Sequence, residues 1–577
     1  MDFRFWILDL KYLFDNGLTH PSVAFFWSIE VIKLWLFVIS LTSSCFWANV
    51  ITAQPLPNPL NLELQLEVPN PPEIEPEQDT SETIRVERFV FVGNTVFDNE
   101  QLQEVVAPYV GKDITFAEVL AARSAITNLY LQNGYTTSGA LIPLQTKVAS
   151  NSGVVTIQIV EGKLEEIDVQ GSDRLKQYIR SSLPSGIVNQ ERLLEALRLL
   201  SIDPLIENIS ATLTVGTQPG LSILHVKVEP KEPISVVVVA DNHRSPAAGT
   251  FERGVELSYT SLLIAGDKLH LTYKNTDGSN GIASSYKVPI NPKNGTVELI
   301  YSQLQSNIIE PPFNQLDIIS QQRSYQLTWR QPLIRRASAD ATQELALGLT
   351  LSHSSSSAQL LGVNFPISPG ADREGKTRIS TVRFFTEWNQ QNPQEILGVR
   401  SAFSLGVGAF GATINPAAPD SRFLIWRGEV GWLKKLGNAS LLLRGNVQLS
   451  DRALVPLEQF GLGGEETVRG YRQDLLIADN GVSAAAEVYL PLLKGKSDAL
   501  HLVPFFDVGT VWNNNRELEA DTSTLASIGL GLQYKIGSSF TARMDYGIPL
   551  VNRGERNTWQ ENGLTFQVQY QPFSGSY

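Results

Sequence analysis

The sequence predicts a chain of mixed class: two tandem βααββ modules, then an antiparallel transmembrane β-barrel of about 16 strands with one long loop folded inward. Three observations predict it. Apolar and polar residues alternate over the last 345 or so positions, tight turns take turns there with long polar loops, and the α/β pattern before them occurs twice.

The alternation is plainest near the C-terminus, where Leu564, Phe566, Val568 and Tyr570 are separated by Thr565, Gln567 and Gln569. Phe540, Ala542, Met544 and Tyr546 alternate with Thr541, Arg543 and Asp545, and Ile528, Leu530, Leu532 and Tyr534 with Gly529, Gly531 and Gln533. Leu441, Leu443, Val447 and Leu449 oppose Arg444, Asn446 and Gln448, and the pattern continues back to Val255–Tyr259. Such segments have one apolar and one wet face and, with connections, take about 22 residues each, which fits tilted membrane strands. Gly437-Asn438 and Gly537-Ser538 are tight turns, and long loops are expected at 304–321, 354–375 and 452–481. A soluble β-sandwich also alternates, but it rarely runs so many strands without helices. Trp329, Trp388, Trp426, Trp432 and Trp512 fall near expected strand ends, where an interfacial girdle puts them.

From the N-terminus, residues 1–53 read as an export signal: Lys33 precedes an apolar core at Leu34–Leu41, and Ile51-Thr52-Ala53 offers cleavage after Ala53. A membrane anchor over Val23–Val50 is the alternative. The single cysteine, Cys45, lies inside this segment, which removes disulfides and thiol chemistry from the mature chain. Residues 54–83, rich in proline and glutamate, make an extended spacer. The first module, 84–162, has a strand at Ile84–Val92, helices at Glu100–Tyr109 and Phe116–Asn133 with Thr115 as N-cap, and strands at Ala140–Gln145 and Val154–Glu161. The second, 163–232, repeats the order, with strands at Leu164–Val169, Ile206–Val215 and Leu221–Val228 and helices near Leu175–Ser182 and Glu191–Leu200. Each module is expected to leave an edge strand open. The barrel takes 233–577.

Between two alternating runs lies Phe-Gly-Leu-Gly-Gly-Glu-Glu-Thr-Val-Arg-Gly-Tyr, residues 460–471. Its glycines permit a compact tip, and Arg469 offers a fork of donors that wants an acidic receptor. If Val508 faces lipid, in phase with Leu500, Leu502 and Phe506, Asp507 faces the lumen; Phe505 and Phe506 are both apolar and leave the phase open, and the lower cost of a lumenal carboxylate favours this assignment, while Glu487 is lumenal by the alternation of Ala484, Ala486, Val488 and Leu490. Asp507 and Glu487 are therefore the candidate acceptors for Arg469.

Phe91-Val92-Gly93-Asn94 at the end of the first strand makes the modules resemble POTRA (polypeptide-transport-associated) domains. With Asp241-Asn242, Gly266-Asp267, Val468-Arg469-Gly470-Tyr471 and Phe506-Asp507-Val508-Gly509, the chain after residue 84 resembles outer-membrane transporters of two-partner secretion, of the hemolysin secretion and activation type. That family shares a superfamily with the barrel-assembly insertase. The resemblance implies a loop motif of Val468, Arg469, Gly470 and Tyr471 received by Asp507, Gly509 and Glu487. It implies a pore in the outer membrane of a Gram-negative-type bacterium, with periplasmic POTRA domains that bind an unfolded partner, a large secreted adhesin or hemolysin of β-helical type. Outer-membrane lipid and the barrel-assembly machinery are the other implied partners. Two departures stand out: the proline-rich spacer stands where a plug helix would be, and the chain ends in Tyr577 after Pro572.

No enzyme is expected. His20, His225, His243, His270, His353 and His501 are scattered without ligand spacing, so neither a metal nor another cofactor is called for, and Gly495-Lys496-Ser497 lacks the glycine of a phosphate loop. A net charge of −13 argues against a nucleic-acid partner. The alternatives in the same fold are a barrel insertase and a porin-like solute channel.

Overall fold

The computed structural model describes residues 65–66, 83–143, 153–495, 497–514, 523–552 and 557–573. The export signal with its cleavage after Ala53, Cys45, nearly all of the spacer, Lys496 and Tyr577 lie outside the described residues.

In the first module both helices start on reciprocal caps, Asp98 with Gln101 and Thr115 with Glu118, which satisfy otherwise orphaned amides. The first helix, Asn99–Val106, is shorter than expected, because Pro108 tightens the chain into a 3-10 turn over Ala107–Tyr109. The first strand is two: Thr83–Val86 pairs with Lys112–Thr115, and Arg88–Val92 runs parallel to Val154–Val160. Lys112–Thr115 escaped the sequence reading because only Ile114 of its residues is buried. The strand expected at Ala140–Gln145 is Gly139–Leu141. Leu102, Val106, Ile126, Tyr130 and Ile157 fill the core.

One device appears in both modules. Gly93 (φ +94°) and Gly171 (φ +106°) each follow a first strand, and a Cβ would lie 2.5 Å from the Ile159 carbonyl oxygen in one case and 2.0 Å from that of Val228 in the other. No L side chain fits either position, which gives the Gly-Asn of the first module its physical reason.

Glu161 directly follows Val154–Val160, the last strand of the first module, and is buried. It accepts from the amides of Thr95 (2.6 Å) and Val96 (2.8 Å), from the Tyr130 hydroxyl (2.8 Å) and from the Thr95 hydroxyl. Burial works against its charged form, but the Thr95, Val96 and Tyr130 donors outweigh it and hold the carboxyl below its ordinary value. Glu161→Ala should destabilise a fragment of residues 83–232 by about 3 kcal/mol, because buried donors lose their acceptor. Since the folded-state pKa is depressed, the contribution of Glu161 is complete above the unfolded value of about 4.3 and lost as pH falls through the folded one. Thermal unfolding between pH 7 and 3 should show the wild-type advantage over the alanine variant shrinking only below about pH 4.5.

The second module packs Asp173–Ser182 and Gln190–Ser201 on a sheet of Lys163–Gln170, Leu221–Pro230 and Ile206–Val215 around Ile179, Leu193, Leu197 and Leu224. Its edge is not fully open: Gln65 and Leu66 of the spacer run parallel to Thr212 and Leu213 on Ile206–Val215. A two-residue pairing satisfies part of a strand edge that would otherwise be free.

Sixteen antiparallel strands then close a barrel from Ile234–Asp241 to Leu564–Tyr570. Closure leaves no edge in lipid, where unpaired backbone is costly. The closing seam has only four register pairs, Val238↔Tyr570 to Asp241↔Gln567. Asn242 extends it, its side chain donating to the Leu564 carbonyl (2.9 Å) and accepting from the Phe566 amide (2.7 Å), as a further peptide group would. Some strands are longer than expected, notably Ile319–Ala337 and Thr342–Leu360, so the loops shrink to 308–318, 361–375 and 451–479. The run His353-Ser354-Ser355-Ser356-Ser357 is polar on both faces, which hid its strand character; above the lipid a strand needs no apolar side.

Candidate functional site

The loop 451–479 enters the barrel as a hairpin, Phe460–Leu462 pairing with Leu476–Ala478. Gly463 (φ +116°) and Gly464 (φ +93°) turn the chain, and Val468 packs with Leu462, Ala478, Val511 and Leu525. Gly470 (φ +87°) sits against Gly547: a Cβ on either would lie 2.7–2.9 Å from backbone atoms of the other segment. The loop tip therefore rests on bare backbone of the strand Phe540–Pro549. Tyr471 anchors its far side, its hydroxyl accepting from the Val551 amide (3.1 Å) and lying 2.9 Å from the Ala526 carbonyl.

Arg469 is fully buried. Its Nε and Nη2 donate to the two carboxylate oxygens of Asp507, both at 2.8 Å, and its own amide adds a third bond at 3.1 Å. This is the bidentate fork geometry that makes arginine the residue for carboxylate recognition. The same guanidinium stands 3.3 Å from Glu487 and 3.7 Å from Asp545, and it stacks 3.6 Å above the Phe505 ring. Phe505 fits there because Gly529 has no side chain; a Cβ on Gly529 would strike the ring at 2.1 Å. The strand phase is thus resolved, with Phe505 3% exposed toward the lumen and Phe506 45% exposed toward lipid.

Glu487 is a second hub. It accepts from Arg444 (2.7 Å), Arg543 (2.9 Å) and the Tyr489 hydroxyl (2.9 Å), while Arg543 also donates to Asp545 at 2.7 Å. Three guanidiniums thus face three carboxylates out of water, each carboxylate within reach of at least one cation. Outside this cluster Arg472 bridges Glu310 (2.7 Å) and Glu561 (3.1 Å), tying the loop to two of its neighbours.

The structure brings Arg469, Asp507 and Glu487 together. Gly509 is no acceptor for Arg469; it makes room for Leu462, whose Cδ1 would lie 2.3 Å from a Cβ there. Sequence reasoning missed Arg444, Arg543 and Asp545. Arg543 and Asp545 stand in the wet phase of their strand, so a search for charged lumenal residues would have found them.

A model of the haemolysin secretion/activation protein family ShlB/FhaC/HecB matches residues 220–534, more than half of the chain. The chain belongs to this family. A POTRA domain model, ShlB-type, matches residues 84–162. The outer membrane transporter CdiB of Dickeya dadantii (strain 3937) is 23% identical over 454 residues, 76% of this chain and 77% of that one. The heme/hemopexin transporter protein HuxB of Haemophilus influenzae (strain ATCC 51907 / DSM 11121 / KW20 / Rd) is 21% identical over 481 residues, 78% and 81% of the two chains. Among solved structures, CdiB from Escherichia coli has a TM-score of 0.65 at 19% identity, covering 86% of this chain and 93% of its own. CdiB from Acinetobacter baumannii gives 0.59 at 18%, covering 88% and 95%. These likenesses show the fold. As a member of the family the chain is an outer-membrane protein export pore, with its POTRA domains in the periplasm.

Proposed function

We propose that this pore exports one large partner, an adhesin or hemolysin of β-helical type, and that the loop held by Arg469 is the movable element of the lumen. The observation that carries this is the lock itself: a loop inside the barrel whose tip sets one buried arginine on three carboxylates. Ion pairs hold firmly yet exchange without backbone being unmade, which suits a part that must shift and return. The partner arrives unfolded and adds an extended segment to a POTRA sheet edge, where backbone hydrogen bonds give affinity. Among the described residues Gln65 and Leu66 cover one edge of the second module's sheet, leaving Lys163–Gln170 at its other edge and Arg88–Val92 and Gly139–Leu141 in the first module as candidate places. Folding of the partner outside drives export without ATP.

Conductance tests the reading. In planar bilayers the wild type should pass small, fluctuating currents, because the loop occupies the lumen, and removing residues 456–478 should give large, steady ones. A wild type already open and steady would make the chain a porin-like channel instead.

A further inference from the structure

The first periplasmic turn joins Glu252–Thr260 to Lys268–Asn275 and carries Leu262, Leu263 and Ile264, which are 42%, 75% and 49% exposed. Three consecutive apolar side chains outside the protein are unusual for a turn bathed in water. Asp267 is fully buried and accepts from the amides of Leu262 (2.6 Å), Leu263 (2.9 Å) and Ile264 (3.0 Å). The Ser261 amide donates to the Asp267 carbonyl (2.7 Å), and the Gly266 amide to the Ser261 hydroxyl (3.1 Å). The turn satisfies its own donors, as the Asn291 and Asn392 side chains do in other turns of this rim, so it keeps its shape in whatever place it occupies.

That place is the lipid side of the rim. Tyr286 donates its hydroxyl to Asp267 at 2.6 Å, and its cross-strand neighbours are Leu269 and Leu299 of the lipid-facing surface. A tyrosine with its ring among apolar residues and its hydroxyl on a carboxylate marks a membrane–water boundary. Gly266 lies beside Pro289, level with Ile290, itself 48% exposed. On its other side the turn meets the second module, Ala265 packing on that core and Arg174 reaching the Ser261 carbonyl at 3.5 Å.

We propose that Leu262, Leu263 and Ile264 form a wedge inserted among the phospholipid chains of the periplasmic leaflet, so that the second POTRA module is seated on the membrane as well as on the barrel. The test uses the full chain with Cys45→Ser, a nitroxide on Leu263→Cys, and vesicles of phosphatidylethanolamine and phosphatidylglycerol. Labels at Asn438→Cys, in an exposed turn on the same rim, and Phe403→Cys, on the lipid face, bracket the scale. The Leu263 label should collide with oxygen severalfold more, relative to a water-soluble nickel chelate, than the Asn438 label does. Nickel access equal to that at Asn438 overturns the wedge. Protection from both reagents also overturns it, by showing that protein covers the turn. A label at position 263 removes no hydrogen bond, so the variant keeps the turn intact.

Discussion

Arg469→Ala should reduce partner secretion at least tenfold while the barrel still assembles in the outer membrane. All three hydrogen bonds that Asp507 receives among the described residues come from Arg469. Removing one member of a buried pair typically costs about 3–5 kcal/mol because the survivor is left uncompensated, and 1.4 kcal/mol is already a factor of ten. The two partners are not equivalent. Asp507→Ala leaves Arg469 beside Glu487 and Asp545, so its defect should be smaller. The double variant should be no worse than Arg469→Ala, since it deletes the stranded carboxylate. Losses that add independently would show that the two do not act as a pair. Arg469→Lys should not restore secretion, because lysine has neither the two-pronged fork nor the planar face that lies on Phe505. Secreted partner measured against barrel abundance in isolated outer membranes checks each case.

Glu487→Ala should be the second severe change, and of a different kind. It strips Arg444 of its salt-bridge partner and Arg543 of one of two, leaving the three guanidiniums to Asp507, Asp545 and the more distant Glu465. These cations come from two barrel strands and the loop, so both the wall and the lock should loosen. The temperature at which the folded barrel converts to the unfolded band on gels should fall by several degrees, and secretion should fall with it. Arg444→Gln on top of Glu487→Gln should recover part of the loss by removing the guanidinium that Glu487 held. No recovery would mean that Glu487 acts through packing or its Tyr489 hydrogen bond rather than through charge.

The barrel strands were legible because lipid imposes a strict period of two, and the same constraint made Glu487 lumenal by alternation and Asp507 by cost. The constraint lapses above the membrane, which is why His353–Ser357 read as loop although the strand Thr342–Leu360 continues through it. Phase tells which wall a residue faces, not its height. Height depends on register summed over successive hairpins and on the bulges within them, such as the one at Pro491 and Leu493. Arg543 and Asp545 were therefore readable as lumenal but not as neighbours of Arg469. Contacts of backbone with backbone, such as Gly470 on Gly547, leave only a pair of distant glycines as their trace. In the modules the repeat was legible from the recurring order of strand and helix propensities, whereas Lys112–Thr115 carries too little apolar pattern to show.

The central claim is that an exported chain passes through the lumen, and one strand offers the measurement. On Glu395–Val407, Arg400 faces inward over the Phe385 ring, while Phe403 is 50% exposed on the lipid side. A photo-crosslinking residue at each position, in cells where the partner is arrested in transit by a tightly folded fusion, should capture the partner from position 400 and not from position 403. Capture of nascent barrel proteins at position 403, with no partner at position 400, would contradict export through this lumen and assign the chain to barrel insertion.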